Sequence, residues 1–364
     1  MESRRRFIAQ TAAVAAAPFI STRVTRALAQ GSRPRLGFAL CGLGGLSENQ
    51  IAPAFAKTEH CRLAGVITDS PEKARKWQAQ YRIPNRNVFT YDTMSKLADN
   101  KDIDVVYIVT PNALHAEQTL AAAKAGKHVY CEKPMEVSTE RCQQMIDACK
   151  SAKRKLGIAY RCQFDPNHLE CIRLIREKQF GELRFIEASF NVPIGDPGQW
   201  RLKRALSGGG ALMDVGIYAL QATRYLSGEE PTQVTAFEQK TDPVKFAEVD
   251  QSMLWQMRFP SGVLASCTTS YDTGLGGYFR VNAQNGWFGL DPAFYYSGNK
   301  GKRSDGKDIA LPAPDLFAAQ MDDFAKCILN DLPSKVSGEE GLRDVKIMMA
   351  IYEAARTGRT VSLT

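Results

Sequence analysis

From Arg35 onward, short unbroken apolar runs alternate with stretches whose apolar positions recur at helical spacing. Leu36 to Cys41 contains no charged residue and suits a strand covered on both faces. Asn49 to Lys57 reads as a helix, Leu63 to Thr68 as a second strand, and a helix with one charged face starts at Pro71. Val105 to Val109 is a third apolar run, ending at Thr110-Pro111-Asn112. The alanine-rich helix Ala116 to Ala125 stops at Gly126, a C-terminal capping glycine. His128 to Cys131 is a strand, Thr139 to Lys153 a helix, and Lys155 to Tyr160 a last strand. Such alternation predicts a parallel, doubly wound sheet with helices on both faces.

After Arg161 the pattern changes. A helix from about Asp165 to Glu177 leads to Leu183 to Phe190, which alternates as antiparallel strands do. Gln233 to Lys240, Ser252 to Phe259, Val263 to Ser270 and Phe279 to Ala283 look alike, and Pro260-Ser261-Gly262 carries hairpin chemistry between two of them. Phe317 to Leu329 and Gly338 to Arg356 are helical. The fold expected is an α/β Rossmann domain over 30–160, then an α+β domain over 161–364 with an open, mostly antiparallel sheet. The second domain is assigned substrate binding and oligomerisation, and its last helices have room to pack back on the first.

Residues 1–29 form a separate object. Arg4-Arg5-Arg6-Phe7-Ile8, the mild apolar run Thr11 to Ile20 and the small residues Ala27-Leu28-Ala29 describe a cleavable twin-arginine export signal. The run is broken by Pro18 and is short of the ~20 residues a membrane span needs. The expectation is a periplasmic protein, exported folded, with no membrane attachment after cleavage. Removing this segment takes the net charge from +8 to about +4, which argues against the basic stripe of a nucleic-acid binder. Nine cysteines, an odd count without a C-x-x-C pair, suit a chain that folds in a reducing cytoplasm before export. The four histidines, His60, His115, His128 and His168, show no ligand spacing, so no metal site is expected.

Cys41-Gly42-Leu43-Gly44-Gly45-Leu46-Ser47 lies between the first strand and first helix. Gly42 permits the tight turn, and Gly44 lets backbone approach a pyrophosphate seated on the helix N-terminus. Ser47 stands where a third glycine is usual. At the end of the second strand, Thr68 and, one helical turn on, Lys73 suit a 2′-phosphate, and so NADP(H); Asp69, one position after Thr68, would restore NAD if the strand ended there. Glu132-Lys133-Pro134 follows a buried strand at the end where ligands sit, and directs a lysine towards the nicotinamide pocket. Ser207 to Tyr218 holds three consecutive glycines, and Asp214 and Tyr218 are four apart, on one helical face. A phenol beside an ammonium is a usable proton donor and acceptor for a carbinol–carbonyl pair.

Gly42-Leu43-Gly44, Glu132-Lys133-Pro134, Tyr160-Arg161-Cys162 and the block Gly208 to Tyr218 together resemble the Gfo/Idh/MocA oxidoreductases. Tyr218 stands where most of that family has histidine. With Gln199-Trp200-Arg201-Leu202 and Gly228-Glu229-Glu230-Pro231, it is similar to the periplasmic glucose–fructose and aldose–aldose oxidoreductase branch. The resemblance runs from Leu36 to about Val361. It implies tightly held NADP(H) carrying hydride between two sugars, one oxidised at its anomeric carbon to a lactone, the other reduced to an alditol. Lys133, Asp214 and Tyr218 match the catalytic group. Lys133, Arg161, Trp200, Arg201, Asp214, Tyr218 and Tyr296 fall at sugar contacts. The cofactor set is Gly42, Leu43, Gly44, Gly45, Leu46, Thr68, Lys73, Tyr91, Thr110, Pro111, Asn112, His115, Glu132, Lys133, Arg161, Trp200 and Arg201. Only Gln30 to Arg35 separates the cleavage point from the first strand, where the glucose–fructose enzymes carry a long proline-rich arm. The assembly expected is a homodimer through the open sheet, with a tetramer as the alternative. Two other functions fit less well: an NADP-dependent aldose dehydrogenase with a dissociable cofactor, and a periplasmic sugar-binding or sensing protein.

Overall fold

A computed structural model describes residues 35–363. The export signal expected over 1–29 lies outside the described residues. Six strands make the first sheet: β1 Leu36–Cys41, β2 Cys61–Ile67, β3 Val88–Phe89, β4 Val105–Ile108, β5 His128–Cys131 and β6 Leu156–Ile158. All pair in parallel, in the order β3-β2-β1-β4-β5-β6. That order reverses direction between β1 and β4, and ligands bind in the crevice such a reversal opens at the carboxyl ends of the strands. β1 and β4 are buried along their whole length, which is why their sequences do not alternate.

Two local details differ from the sequence pattern. The segment expected as a regular first helix is a π-helical turn, Ser47–Ile51, then Ala52–Ala54 and a 3₁₀ turn, Phe55–Lys57. Pro53 has no N–H to donate within it, so a continuous α-helical ladder cannot form. The second strand ends at Ile67, one residue earlier than expected, which leaves Thr68 as the first residue beyond the sheet.

The second sheet has nine strands: β7 Leu183–Asn191, β8 Gln233–Gln239, β9 Ser252–Arg258, β10 Leu264–Ser270, β11 Gly276–Ala283, β12 Gly286–Leu290, β13 Gly301–Arg303, β14 Asp308–Ile309 and β15 Val361–Ser362. Their order is β14-β13-β12-β11-β7-β10-β9-β8-β15. The sheet is antiparallel except at its centre, where β7 pairs β10 in parallel and β11 antiparallel. β9 and β10 form the hairpin expected around Gly262. One face of this sheet is packed by the helix Ile217–Ser227 and its neighbours. The other carries Phe185, Phe237, Leu254, Leu264 and Tyr278 in exposed positions.

The helix Leu316–Leu329 lies against the first sheet: Phe324 stacks on Tyr130 at 4.8 Å, and Gln320 Nε2 donates to the Tyr107 hydroxyl at 3.1 Å. The helix Gly338–Thr357 packs both on Thr139–Ser151 and on β8. All nine cysteines are buried and unpaired.

Candidate active site

The glycine turn begins the site. Gly42 has φ +96°, and a Cβ there would sit 2.9 Å from the Val109 carbonyl, so the turn after β1 closes only with glycine. Above Gly44 nothing lies within 4 Å of an ideal Cβ, leaving its backbone open to a ligand. Ser47, in the place of a third glycine, is fully buried and donates its hydroxyl to the Gly42 carbonyl at 2.6 Å, tying the turn shut. Leu43 is buried beneath the turn, while Gly45 and Leu46 reach the large cavity. This open backbone cradle at the reversal of strand order fits a dinucleotide's phosphates.

At the end of β2, the Thr68 hydroxyl accepts from the Ser70 N–H at 3.2 Å, and Ser70 caps the helix Pro71–Tyr81. One Asp69 carboxylate oxygen is engaged by the Tyr91 N–H at 3.0 Å. Lys73 is exposed, with no salt bridge among the described residues. Burial, with Cys41 and Asp69 nearby, pushes the Tyr91 phenol up to about 12. After β4, Thr110 donates to Gln118 Oε1, and the Asn112 side-chain amide donates to the Ser207 carbonyl at 2.8 Å; Pro111 sits between them, half-buried.

Two residues assigned to ligand contact are engaged by the protein itself. His115 is fully buried, with Nε2 2.9 Å from the Thr110 carbonyl and Nδ1 3.1 Å from that of Pro134. It ties the loop after β4 to the loop after β5 and does not reach the cavity, since three backbone carbonyls surround its ring. Trp200 does not line the cavity either; its ring backs the Arg201 guanidinium at 4.7 Å. Lys73 lies exposed in the first turn of the helix Pro71–Tyr81, beyond the end of β2 and outside the cavity lining.

The cavity, about 640 Å³, opens between the glycine turn and the second sheet. Glu132 and Lys133 enter it from the end of β5, and Arg161 from just beyond β6. Asp214 sits on a π-helical turn, Leu212–Gly216, and Tyr218 at the start of the helix that follows. The triple glycine makes this turn possible. A Cβ on Gly210 would lie 2.0 Å from the Asp250 carbonyl oxygen, and the Asp250 carboxylate accepts from the N–H groups of Gly210 at 2.6 Å and Leu212 at 2.8 Å.

Charge is concentrated around Asp214. Lys133 Nζ donates to its backbone carbonyl at 2.5 Å and to Oδ1 at 3.3 Å. Arg201 Nε donates to Oδ2 at 2.8 Å, and the Tyr271 hydroxyl to the same oxygen at 3.0 Å. Burial alone would raise this carboxyl, but Arg201, Lys133 and the Tyr271 bond hold it well below the usual carboxylate range. Burial likewise pulls Lys133 down, and Tyr218, Asp214 and Glu132 outweigh it, so the amine stays protonated. Burial raises Glu132, which accepts from the Tyr107 hydroxyl at 2.8 Å.

Tyr218 is flanked by two cations: Lys133 Nζ lies 4.7 Å from its ring centroid and Arg161 Cζ 4.9 Å. Arg161 is equally 4.9 Å from the Tyr296 ring, so its guanidinium sits between two tyrosines. Its terminal nitrogens donate to the carbonyls of Tyr295 at 2.9 Å and Phe294 at 2.5 Å. This clamp fixes an aromatic loop in which Phe294, Tyr295 and Tyr296 line the cavity. Phe190 completes the apolar wall, edge-on to Tyr218 at 5.4 Å. The sequence pattern did not single out Tyr271, Asp250, Phe190 or Phe294; their link to the site is purely spatial. A phenol, a fixed carboxylate and three cations beside an apolar wall are suited to moving a proton on a hydroxyl while a hydride leaves the same carbon.

A family model described as an oxidoreductase family with an NAD-binding Rossmann fold matches residues 36–160, and one described as the GFO/IDH/MocA C-terminal domain matches residues 168–289. D-xylose 1-dehydrogenase [NADP(+)] of Haloarcula marismortui is 33% identical over 335 residues, covering 90% of this chain and 92% of that protein. A second D-xylose 1-dehydrogenase (NADP(+)), from Haloferax volcanii, is 28% identical over 90% of this chain and 99% of its own length. The crystal structure of aldose–aldose oxidoreductase from Caulobacter crescentus, complexed with glycerol, is 43% identical with a TM-score of 0.87, covering 90% of this chain and 100% of that one.

Proposed function

Because this chain belongs to the Gfo/Idh/MocA oxidoreductase family, we propose that it is an NADP-dependent sugar oxidoreductase that oxidises an aldose at its anomeric carbon to a lactone and reduces a second sugar to an alditol. The observation that carries this reading is the Tyr218 ring between the Lys133 and Arg161 cations, opening on a cavity of sugar-accommodating size.

Bound nicotinamide supplies a hydride acceptor and donor. Tyr218 takes the proton from the anomeric hydroxyl as the C–H bond breaks, and returns it to the carbonyl oxygen of the second sugar. Lys133 and Arg161 stabilise negative charge on the phenol oxygen. Asp214, held by three donors, fixes the Lys133 ammonium and keeps it charged. The aromatic wall excludes water and packs the apolar C–H face of the sugar. NADP(H) is favoured over NAD(H) because Asp69 is engaged by the Tyr91 N–H, while the Thr68 hydroxyl, which only accepts from Ser70, keeps its proton to donate and Lys73 is exposed.

The cofactor is proposed to remain bound through both half-reactions. Residues 1–29 are proposed to direct the folded, loaded protein to the periplasm, where little free nicotinamide is at hand. A homodimer is proposed through the apolar outer face of the second sheet, where Phe237 is 71% exposed. The names of the two haloarchaeal relatives favour a second reading, a dehydrogenase that releases its cofactor. One experiment separates the two. Protein purified without added cofactor should show a dihydronicotinamide absorbance that bleaches with one sugar and returns with another. Turnover only with excess NADP would support the dehydrogenase.

A further inference from the structure

Arg201 is fixed in place but only partly used. Its Nε donates to Asp214 Oδ2, and its guanidinium carbon lies 4.7 Å from the centroid of the Trp200 ring, two contacts that hold it in place. Its two terminal nitrogens have no acceptor among the described residues, neither is sealed from solvent, and the residue lines the cavity. Arg161 differs, since its terminal nitrogens are taken by two carbonyls. Arg201 therefore presents a pre-oriented pair of N–H donors to the cavity, the geometry that a carboxylate matches with both oxygens.

The open edge of Arg201 is close to the reacting end of the site. Lys133 holds Oδ1 of Asp214 and Arg201 holds Oδ2, so the two cations are separated by the width of one carboxylate. Lys133, Arg161 and Arg201 outnumber Asp214 and Glu132 around the cavity. A neutral aldose or alditol brings no charge to the open edge of Arg201. The acid derived from the oxidised sugar does. When water adds to a lactone, the ring C1–O bond breaks, the ring oxygen leaves as a hydroxyl, and a carboxylate remains at C1 with a proton released.

We propose that the cavity also binds aldonates, with the C1 carboxylate on the open edge of Arg201 and the Lys133 ammonium alongside. The hydrolysed product then competes with the aldose for the site. This rests on oxidation at C1 as proposed above.

Titration calorimetry on the purified full-length protein tests it, with xylonate against xylitol and gluconate against glucitol as probes. In at least one pair the acid should bind ~10-fold or more tightly than the alditol, since charge-assisted bidentate bonds are roughly twice as strong as neutral ones. Arg201→Gln should bring that pair within ~2-fold, and Arg201→Lys, which keeps the charge but loses the fork, should fall between. Equal affinity within each pair in the unaltered protein overturns the proposal, as does an acid preference that survives Arg201→Gln. Aldose turnover on the same preparation separates this site from the proposed function. Turnover without acid preference removes the aldonate site alone; acid preference without turnover removes the sugar oxidation and leaves the carboxylate contact.

Discussion

Tyr352 and Tyr225 allow the same substitution to be made at two buried hydroxyls with opposite circumstances. Tyr352 donates to Asp250 Oδ1 at 2.6 Å, and that carboxylate, 1% exposed, also accepts from Gly210 and Leu212 at the head of the turn bearing Asp214. Burial, then the Asp250 charge, push the Tyr352 phenol up, so it remains a donor. The Tyr225 hydroxyl is buried with no partner among the described residues. A hydrogen bond to a charged group contributes ~1.5–3 kcal/mol. Asp250 keeps two N–H donors when Tyr352 becomes phenylalanine, so the lower half of that range, ~1.5–2 kcal/mol of lost stability, is expected. Tyr225→Phe removes a group whose unpaired burial costs ~1–3 kcal/mol and should leave stability unchanged within ~0.5 kcal/mol or raise it. Urea unfolding followed by circular dichroism measures both, with the slope against urea required to stay constant. Equal losses at the two positions, or a larger loss at Tyr225, would refute the reasoning.

Three further outcomes are expected. Tyr218→Phe should lower kcat by ~100- to 10,000-fold, with cofactor affinity unchanged by fluorescence titration; a loss under ~10-fold removes the proton-transfer role. Lys73→Ala should weaken NADP(H) ~10-fold or more and spare NAD(H), measured as dissociation constants, and equal losses contradict the phosphate contact. Asp214 has a depressed folded-state pKa, so its stabilisation is complete above its unfolded value near ~3.9 and is lost as pH falls through the lower folded value. The stability gap between the unaltered protein and Asp214→Asn should hold from about pH 7 to 5 and shrink below about pH 4; a gap that widens with acid would refute the clamp.

Strands buried on both faces were legible because their composition leaves no other reading, and β5 was placed to the residue. The cofactor turn and the lysine after β5 were legible for a related reason: a glycine cradle and a strand end have fixed places in a doubly wound sheet. Asp214 and Tyr218 were read from helical spacing, although Asp214 stands on a π-helical turn, and both still face the cavity. Tyr271 could not be found this way. Its bond to Asp214 joins residues 57 apart, and nothing in Thr269-Ser270-Tyr271 marks it. His115 and Trp200 were read from their place in the chain, and the structure adds what holds them. Both neighbour the site in sequence; one ties two loops together and the other backs an arginine.

The central position of β7 has a consequence for how the protein is made. β7 is completed at Asn191, yet its two partners, β10 and β11, end at Ser270 and Ala283. Neither partner lies beside it in sequence, so no local hairpin can nucleate the middle of the sheet, and such non-local pairing forms slowly. The loop clamped by Arg161, which carries Phe294 to Tyr296, emerges later still. A ribosome therefore releases most of the chain before the sugar pocket has walls. The first sheet, whose six strands are complete by Ile158, waits through more than a hundred further residues of synthesis for the helix Leu316–Leu329 that packs on it.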